Sequence, residues 1–302
     1  MKMKKSNRKP ILLALSAFLL SLGLTACSRE DARTVIPKAQ ESIENIDSIS
    51  YDMVMNMELS GNEAGQSMAM TTIASADYIL EPEQMRLTMN MNIGGLDSMD
   101  TTMYVLEENG KYKIYTGMGK GTEMYWFASE TESMDSVGKF NAAANLDLYL
   151  ASAQSFTENG EETINGTETI RYDGVVSKDA LQEVVTASGV FSQMEQLGLP
   201  QESMDTMYAM LTGLDDLPIS IWIAKDTYIP MKYEMNMTAL MQAMISRILT
   251  DMGEDSSAIH IDNVSVSMTI SDINNVKEIV VPDEALNAQP LPGPESMEGR
   301  KS

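Results

Sequence analysis

The chain has 302 residues, 43% of them hydrophobic, and carries 21 Lys+Arg against 44 Asp+Glu for a net charge of −23. Such an acidic chain is a poor partner for nucleic acid, whose binding rests on neutralised phosphates, and is repelled by anionic lipid headgroups. One cysteine and one histidine exclude a disulfide framework and any two-histidine metal motif, while 27 methionines are the compositional oddity.

The N-terminus carries Lys2, Lys4, Lys5, Arg8 and Lys9, followed by an apolar run from Ile11 to Leu24. That run falls short of the roughly 20 apolar residues a spanning helix needs. A basic start, a short apolar stretch and a small-residue exit predict a secretory signal peptide over residues 1–26. The exit, Leu24-Thr25-Ala26-Cys27, resembles the bacterial lipobox. The resemblance implies cleavage before Cys27 and a diacylglyceryl group on its thiol. Two acyl chains give stable anchoring where one is marginal. The expected address is therefore the outer, extracytoplasmic face of the cell membrane. Loss of the leader removes five basic residues and no acidic one, taking the charge of the remainder to near −28.

Residues 27–35 are polar enough for a tether. Ile36, Ala39, Ile43 and Ile46 recur at helical spacing, and Pro37 suits a first helical turn. The period then changes to two. Tyr51, Met53, Met55, Met57 and Leu59 share one face of a predicted strand, and Met68, Met70 and Thr72 continue in that style. After the break at Glu81-Pro82-Glu83, Met85, Leu87, Met89, Met91 and Ile93 give the clearest alternation in the chain. Shorter strands follow at Thr101–Leu106, Lys111–Thr116 and Glu123–Ala128, the first two joined by Asn109-Gly110, a strong hairpin signal.

Helical spacing returns at Lys139–Ala153. A strand pair is predicted at Glu161–Ile164 and Glu168–Val176, turned at Asn165-Gly166. Helices are predicted at Lys178–Leu197 and Glu202–Leu211, then strands at Leu217–Ala224 and Ile229–Met237. A helix over Ala239–Met252 precedes strands at Ile259–Ile270 and Val276–Val281. In the former, Ile259 and Ile261 are out of phase with Val264, Val266, Met268 and Ile270, which predicts a bulge near Asn263. Proline and charge after Asn287 predict a disordered tail over 286–302. The pattern is α+β, with ten or eleven antiparallel strands and inserted helices forming one domain over 36–285. Hairpin-linked strand runs argue against parallel βαβ order.

The lipobox, the helix ending in Ile46-Asp47-Ser48-Ile49-Ser50-Tyr51 and the strand–turn–strand from Leu217 to Lys232 together resemble the lipoprotein-carrier superfamily. That superfamily includes the LolA and LolB carriers and the LppX/LprG-type lipoproteins. The resemblance covers roughly Ile36 to Val281. It implies a strongly curved antiparallel sheet, a half-open barrel closed by helices, with an apolar cavity between for lipid or acyl chains. Relatives of the fold also serve as partner-sensing domains.

Met53, Met55, Met57, Met89, Met91, Met235 and Met237 are the candidate cavity lining. Core packing is the plain reading of apolar residues at spacing two. The functional reading is a deformable wall, because methionine is flexible and polarisable. Soft thioethers also suit Cu(I), but the methionines are spread along strands, with His260 the sole imidazole and no second cysteine.

Catalytic signals are weak. Gly117-Met118-Gly119-Lys120-Gly121-Thr122 misses the phosphate-loop spacing and reads as a strand connection. Ser136-Val137-Gly138-Lys139 lacks the companions that give S-x-x-K meaning. His260 falls in a strand, as a packed or edge residue. No enzyme activity, metal or cofactor is expected. Two functions stand: an anchored lipoprotein binding lipid or another hydrophobic ligand, and an envelope interaction or sensor module without a small ligand. The sequence names no protein partner.

Overall fold

The computed structural model describes residues 31–61, 67–94, 98–121, 123–132, 150, 153–177, 216–251, 253 and 255–290. The predicted leader, Cys27, the helices at Lys178–Leu197 and Glu202–Leu211, and all of Lys139–Ala153 except Leu150 and Ala153 lie outside them.

Among the described residues twelve strands form one curved, open sheet. In chain order they are β1 (Ser48–Gly61), β2 (Ser67–Ile79), β3 (Gln84–Ile93), β4 (Met99–Glu108), β5 (Lys111–Lys120), β6 (Glu123–Thr131), β7 (Ala153–Ile164), β8 (Thr167–Val176), β9 (Leu217–Ala224), β10 (Pro230–Asn236), β11 (Ile259–Ser271) and β12 (Gln289–Pro290). Across the sheet the order is β12-β6-β5-β4-β3-β2-β1-β11-β10-β9-β8-β7, antiparallel except where β12 pairs with β6. Among the described residues the helices are α1 (Ala32–Ile43), α2 (Thr238–Asp251) and the short α3 (Asp283–Leu286). Among the described residues no helix is long and apolar enough to cross a membrane.

Turn chemistry sets the register. Asn109 and Gly110 adopt φ of 56° and 74°, as do Asn165 and Gly166 at 49° and 83°. Two consecutive left-handed residues match the right-handed twist of the strands they join. They pair Glu108 with Lys111 and Ile164 with Thr167. The expected bulge is present: Glu58 faces Asn263 and Leu59 faces Ile261, leaving Asp262 as the extra residue. Before Ser265 β11 has no β10 partner, and α2 supplies one. Val264 N–H donates to Thr238 Oγ1 at 2.9 Å and Ile261 N–H to Gln242 Oε1 at 2.7 Å. Two helix side chains thus satisfy backbone donors that a missing strand would leave open.

Several expectations are corrected. α1 begins at Ala32, inside the stretch read as tether, and buries Ala32, Val35, Ala39 and Ile43. Pro37 is therefore inside the helix rather than in its first turn. β7 runs from Ala153, not Glu161, and Ala153 is strand rather than helix. Its alternation is hidden because the register slips twice, around Ser155 and Gly160, both at positive φ. Residues 276–281 pair with no strand. They alternate because Ile279 and Val281 are buried while Val280 is 72% exposed. Residues 286–290, read as the start of the tail, are placed: Leu286 ends α3, and β12 brings Gln289 and Pro290 beside Phe127 and Ala128. Val281 and Ala285 cluster there with Tyr115, packed by Tyr104 and Trp126.

Candidate functional site

Paired residues on neighbouring strands point to the same side of a sheet, so the register defines two faces. The outer face of β1–β4 carries a ladder of paired polar side chains. Ser50 Oγ donates to Asp77 at 2.6 Å, Ser75 Oγ to Asp52 at 2.5 Å, Thr71 Oγ1 to Asn56 at 3.1 Å and Asn90 Nδ2 to Asp100 at 2.5 Å. Arg86 completes the ladder by pairing with Asp77. Asp100 also accepts from Gly121 N–H, and these bonds hold its carboxyl below the usual carboxylate range.

The inner face is apolar from β6 to β8. One transverse row runs Tyr51–Ala76–Leu87–Met103–Thr116–Phe127. The next runs Met268–Met53–Ala74–Met89–Thr101–Met118–Tyr125, and the third Met235–Val266–Met55–Thr72–Met91–Met99. Met57 follows, between Val264 and Met70. All six of the expected strand methionines share this face. Met237 lies just beyond β10, its N–H donating to Val264 O at 2.8 Å, and packs against the same core.

The face is graded from end to end. Where β1 starts, Ile49, Tyr51, Tyr78, Met85 and Val105 are buried in one cluster with Val35, Ala39 and Ile43 of α1. Burial there pushes the Tyr51 hydroxyl up to about 12. Tyr78 is raised further, by burial and by its bond to the Glu83 carboxylate. At the other end the side chains open to solvent: Met68 is 48% exposed, Met99 46%, Met118 42% and Tyr125 73%. Between these ends Met53, Met55, Met57, Met89, Met91 and Met235 are half-buried.

Met68, Met70, Met99, Met103, Met118 and Met268 were not among the sequence candidates. β4 and β5 run past the predicted ends Thr101 and Thr116, which hid Met99 and Met118. Met68, Met70 and Met268 stand in visible alternation, but only the register shows that they join the β1 and β3 methionines.

The doubtful catalytic motifs resolve simply where they are described. Gly117, Gly119 and Lys120 belong to β5. At Gly119 a Cβ would stand 1.9 Å from Glu123 O, so close strand packing explains that glycine. His260 is an exposed residue on the part of β11 without a β10 partner, 3.7 Å from Asp262. Ser136–Lys139 lies outside the described residues. Among the described residues no group of three or more His, Cys, Asp or Glu is placed to hold a metal.

These features define an open, curved-sheet α+β protein with a methionine-rich apolar inner face and an outer face that is polar over β1–β3 and carries two apolar clusters elsewhere. The chain belongs to DUF6612, a family of unknown function, whose model matches residues 31–290. No curated protein matches it. Among solved structures it is similar to LprF from Mycobacterium bovis, at 12% identity over 84% of this chain and 97% of that one, TM-score 0.44. It is similar to the lipoprotein LppX from Mycobacterium tuberculosis at 10% identity over 83% and 100%, TM-score 0.40. A DUF1329 family protein from Desulfovibrio piger matches at 7% identity over 83% and 95%, TM-score 0.25.

Proposed function

We propose that this protein is a membrane-anchored extracytoplasmic lipoprotein that binds a hydrophobic ligand, lipid or acyl chain, against the inner face of its sheet. One observation carries the reading: the inner face is sealed by α1 at one end and lined by half-exposed methionines toward the other. A core that only had to be filled gains specificity from Val, Ile and Leu, whereas methionine suits a wall that reshapes around a guest. Residues 1–26 are the leader in this reading, and Cys27 the lipid attachment site. The lipid holds a body of charge near −28 at a surface that otherwise repels it. The role is binding rather than catalysis.

The test is to purify the protein from Ser28 onward, examine it by native mass spectrometry and extract it with organic solvent. A co-purifying lipid is expected. Met89→Trp and Met235→Trp should each lower lipid retention severalfold while the fold survives, and unchanged retention would remove those side chains from the site. Recovery with no lipid at all would favour the partner-binding alternative, for which exposed Tyr125, Met118 and Met99 offer the surface. Cys27→Ser should move the protein from the membrane to the soluble fraction and abolish incorporation of labelled fatty acid. Continued labelling would exclude this cysteine as the anchor.

A further inference from the structure

The inner face is not uniformly lined. Along β2 it carries Ala76, Ala74 and Thr72, whose neighbours on β1 are Tyr51, Met53 and Met55 and on β3 are Leu87, Met89 and Met91. Small side chains on one strand between long ones on both neighbours leave a lane with a low floor and tall walls. Strand spacing puts the two walls about 10 Å apart, and four residues of rise make the floor about 14 Å long. That is roughly the length of an extended ten-carbon chain. The walls are largely methionine, and the floor between them is covered in this structure, Ala74 being 2% and Ala76 3% exposed, so a guest enters as those flexible side chains stand aside.

A second observation at the same place is polar. Thr72 is 3% exposed, and its Oγ1 has no hydrogen-bond partner. A buried hydroxyl is normally satisfied, and leaving one bare costs stability that an apolar side chain of the same shape would not. The outer-face Thr71 next to it is paired, with Asn56, so threonine on this strand does find partners. Thr72 also lies where the lane turns outward: Tyr78, Ala76 and Ala74 are buried, Met70 is half-buried and Met68 is 48% exposed.

We propose that the β2 lane seats the aliphatic chain of a single-chain amphiphile, and that the Thr72 hydroxyl meets the carboxyl or ester oxygen at its head. The tail lies over Ala74 and Ala76 toward the sealed end. This assignment rests on the proposed ligand-binding function and adds to it the class of ligand and its orientation.

Two fluorescent probes separate the parts. cis-Parinaric acid has both chain and carboxyl; diphenylhexatriene has no polar head. The protein from Ser28 onward is expected to bind both. Thr72→Val, which keeps the shape and removes the hydroxyl, should weaken parinaric acid about tenfold, the value of one hydrogen bond, and leave diphenylhexatriene unchanged. Ala74→Leu raises the floor and should weaken both. Circular dichroism checks folding, and if Ala74→Leu fails to fold, Thr72→Val decides alone. Binding of neither probe by the unaltered protein would remove the proposed function itself. Binding of both, with parinaric acid indifferent to Thr72→Val, would overturn the lane assignment and leave the broader function standing. Undiminished binding of both probes by folded Ala74→Leu would overturn the lane in the same way.

Discussion

Trp222→Ala is expected to cost about 3–5 kcal/mol of folding stability, the range for emptying a buried aromatic site. Trp222 is 2% exposed on the outer side of β9, in a small cluster with Ile164, Ala224 and Met231. Its register partners are Arg171 on β8 and Lys232 on β10. The guanidinium stands 5.0 Å from the indole ring centre and the Lys232 ammonium 4.4 Å. Both cations lie within cation–π range of the ring while their stems cover it. The indole N–H donates to Glu162 Oε2 at 2.7 Å, which ties in β7. One side chain thus links four strands at the edge where β7 is last and has a single neighbour.

Graded variants separate these roles. Trp222→Phe keeps most of the buried area and loses the bond to Glu162, so about 1 kcal/mol is expected. Lys232→Met removes one partly exposed cation and should cost no more than about 1 kcal/mol. Urea unfolding reads all three: midpoints shift and slopes stay constant if the folded state alone is affected. An alanine variant within about 1 kcal/mol of the parent would mean that the indole does not pin this edge.

The sequence made the strands visible where each alternation faces two unlike environments. β3 is the clearest case, since Met85, Leu87, Met89 and Met91 point inward while Arg86, Thr88, Asn90 and Asn92 point outward. The Asn-Gly turns fixed two hairpins through a local backbone demand. Elements that depend on distant partners were harder. β7 slips register twice, which breaks the period that would have announced it. Residues 276–281 alternate like a strand, yet they pair with none. The candidate site divides the same way. A methionine at spacing two marks a face, and the single sequence shows that much. Which faces merge depends on pairing between residues far apart, such as Met53 with Met268. The lane over β2 exists only through the contrast between Ala74 and its neighbours across the strands. No local pattern in Thr71-Thr72-Ile73-Ala74 carries that contrast.

Glu83→Leu is expected to cost about 2–4 kcal/mol, from one buried hydroxyl and one partly exposed hydroxyl that lose a charged acceptor together. Glu83 follows the turn at Glu81-Pro82, where its backbone oxygen accepts Glu107 N–H at 3.0 Å. Its carboxylate accepts from Tyr78 on β2 and, at 2.7 Å, from Tyr112 on β5. Both rings stand at the α1 end of the sheet, so one carboxylate clasps strands three places apart. Water can serve Tyr112 once the carboxylate is gone, but Tyr78 is 3% exposed and has little access to it. The same bonds set an alkaline limit. The bond to Glu83 pushes the Tyr112 hydroxyl up to about 12, and burial holds Tyr51 near the same value. A tyrosine raised in the folded state favours folding below its ordinary value near 10. That contribution fades as pH rises from about 10 through about 12, so stability should fall over this window. Glu83→Gln removes the charge and keeps an acceptor. It should cost less than Glu83→Leu and let Tyr112 ionise nearer pH 10, visible as earlier tyrosinate absorbance, while Tyr51 still titrates near 12. An unchanged tyrosinate curve in Glu83→Gln would show that the carboxylate does not hold the Tyr112 proton, and would leave burial as the only brake on tyrosine ionisation at this end of the sheet.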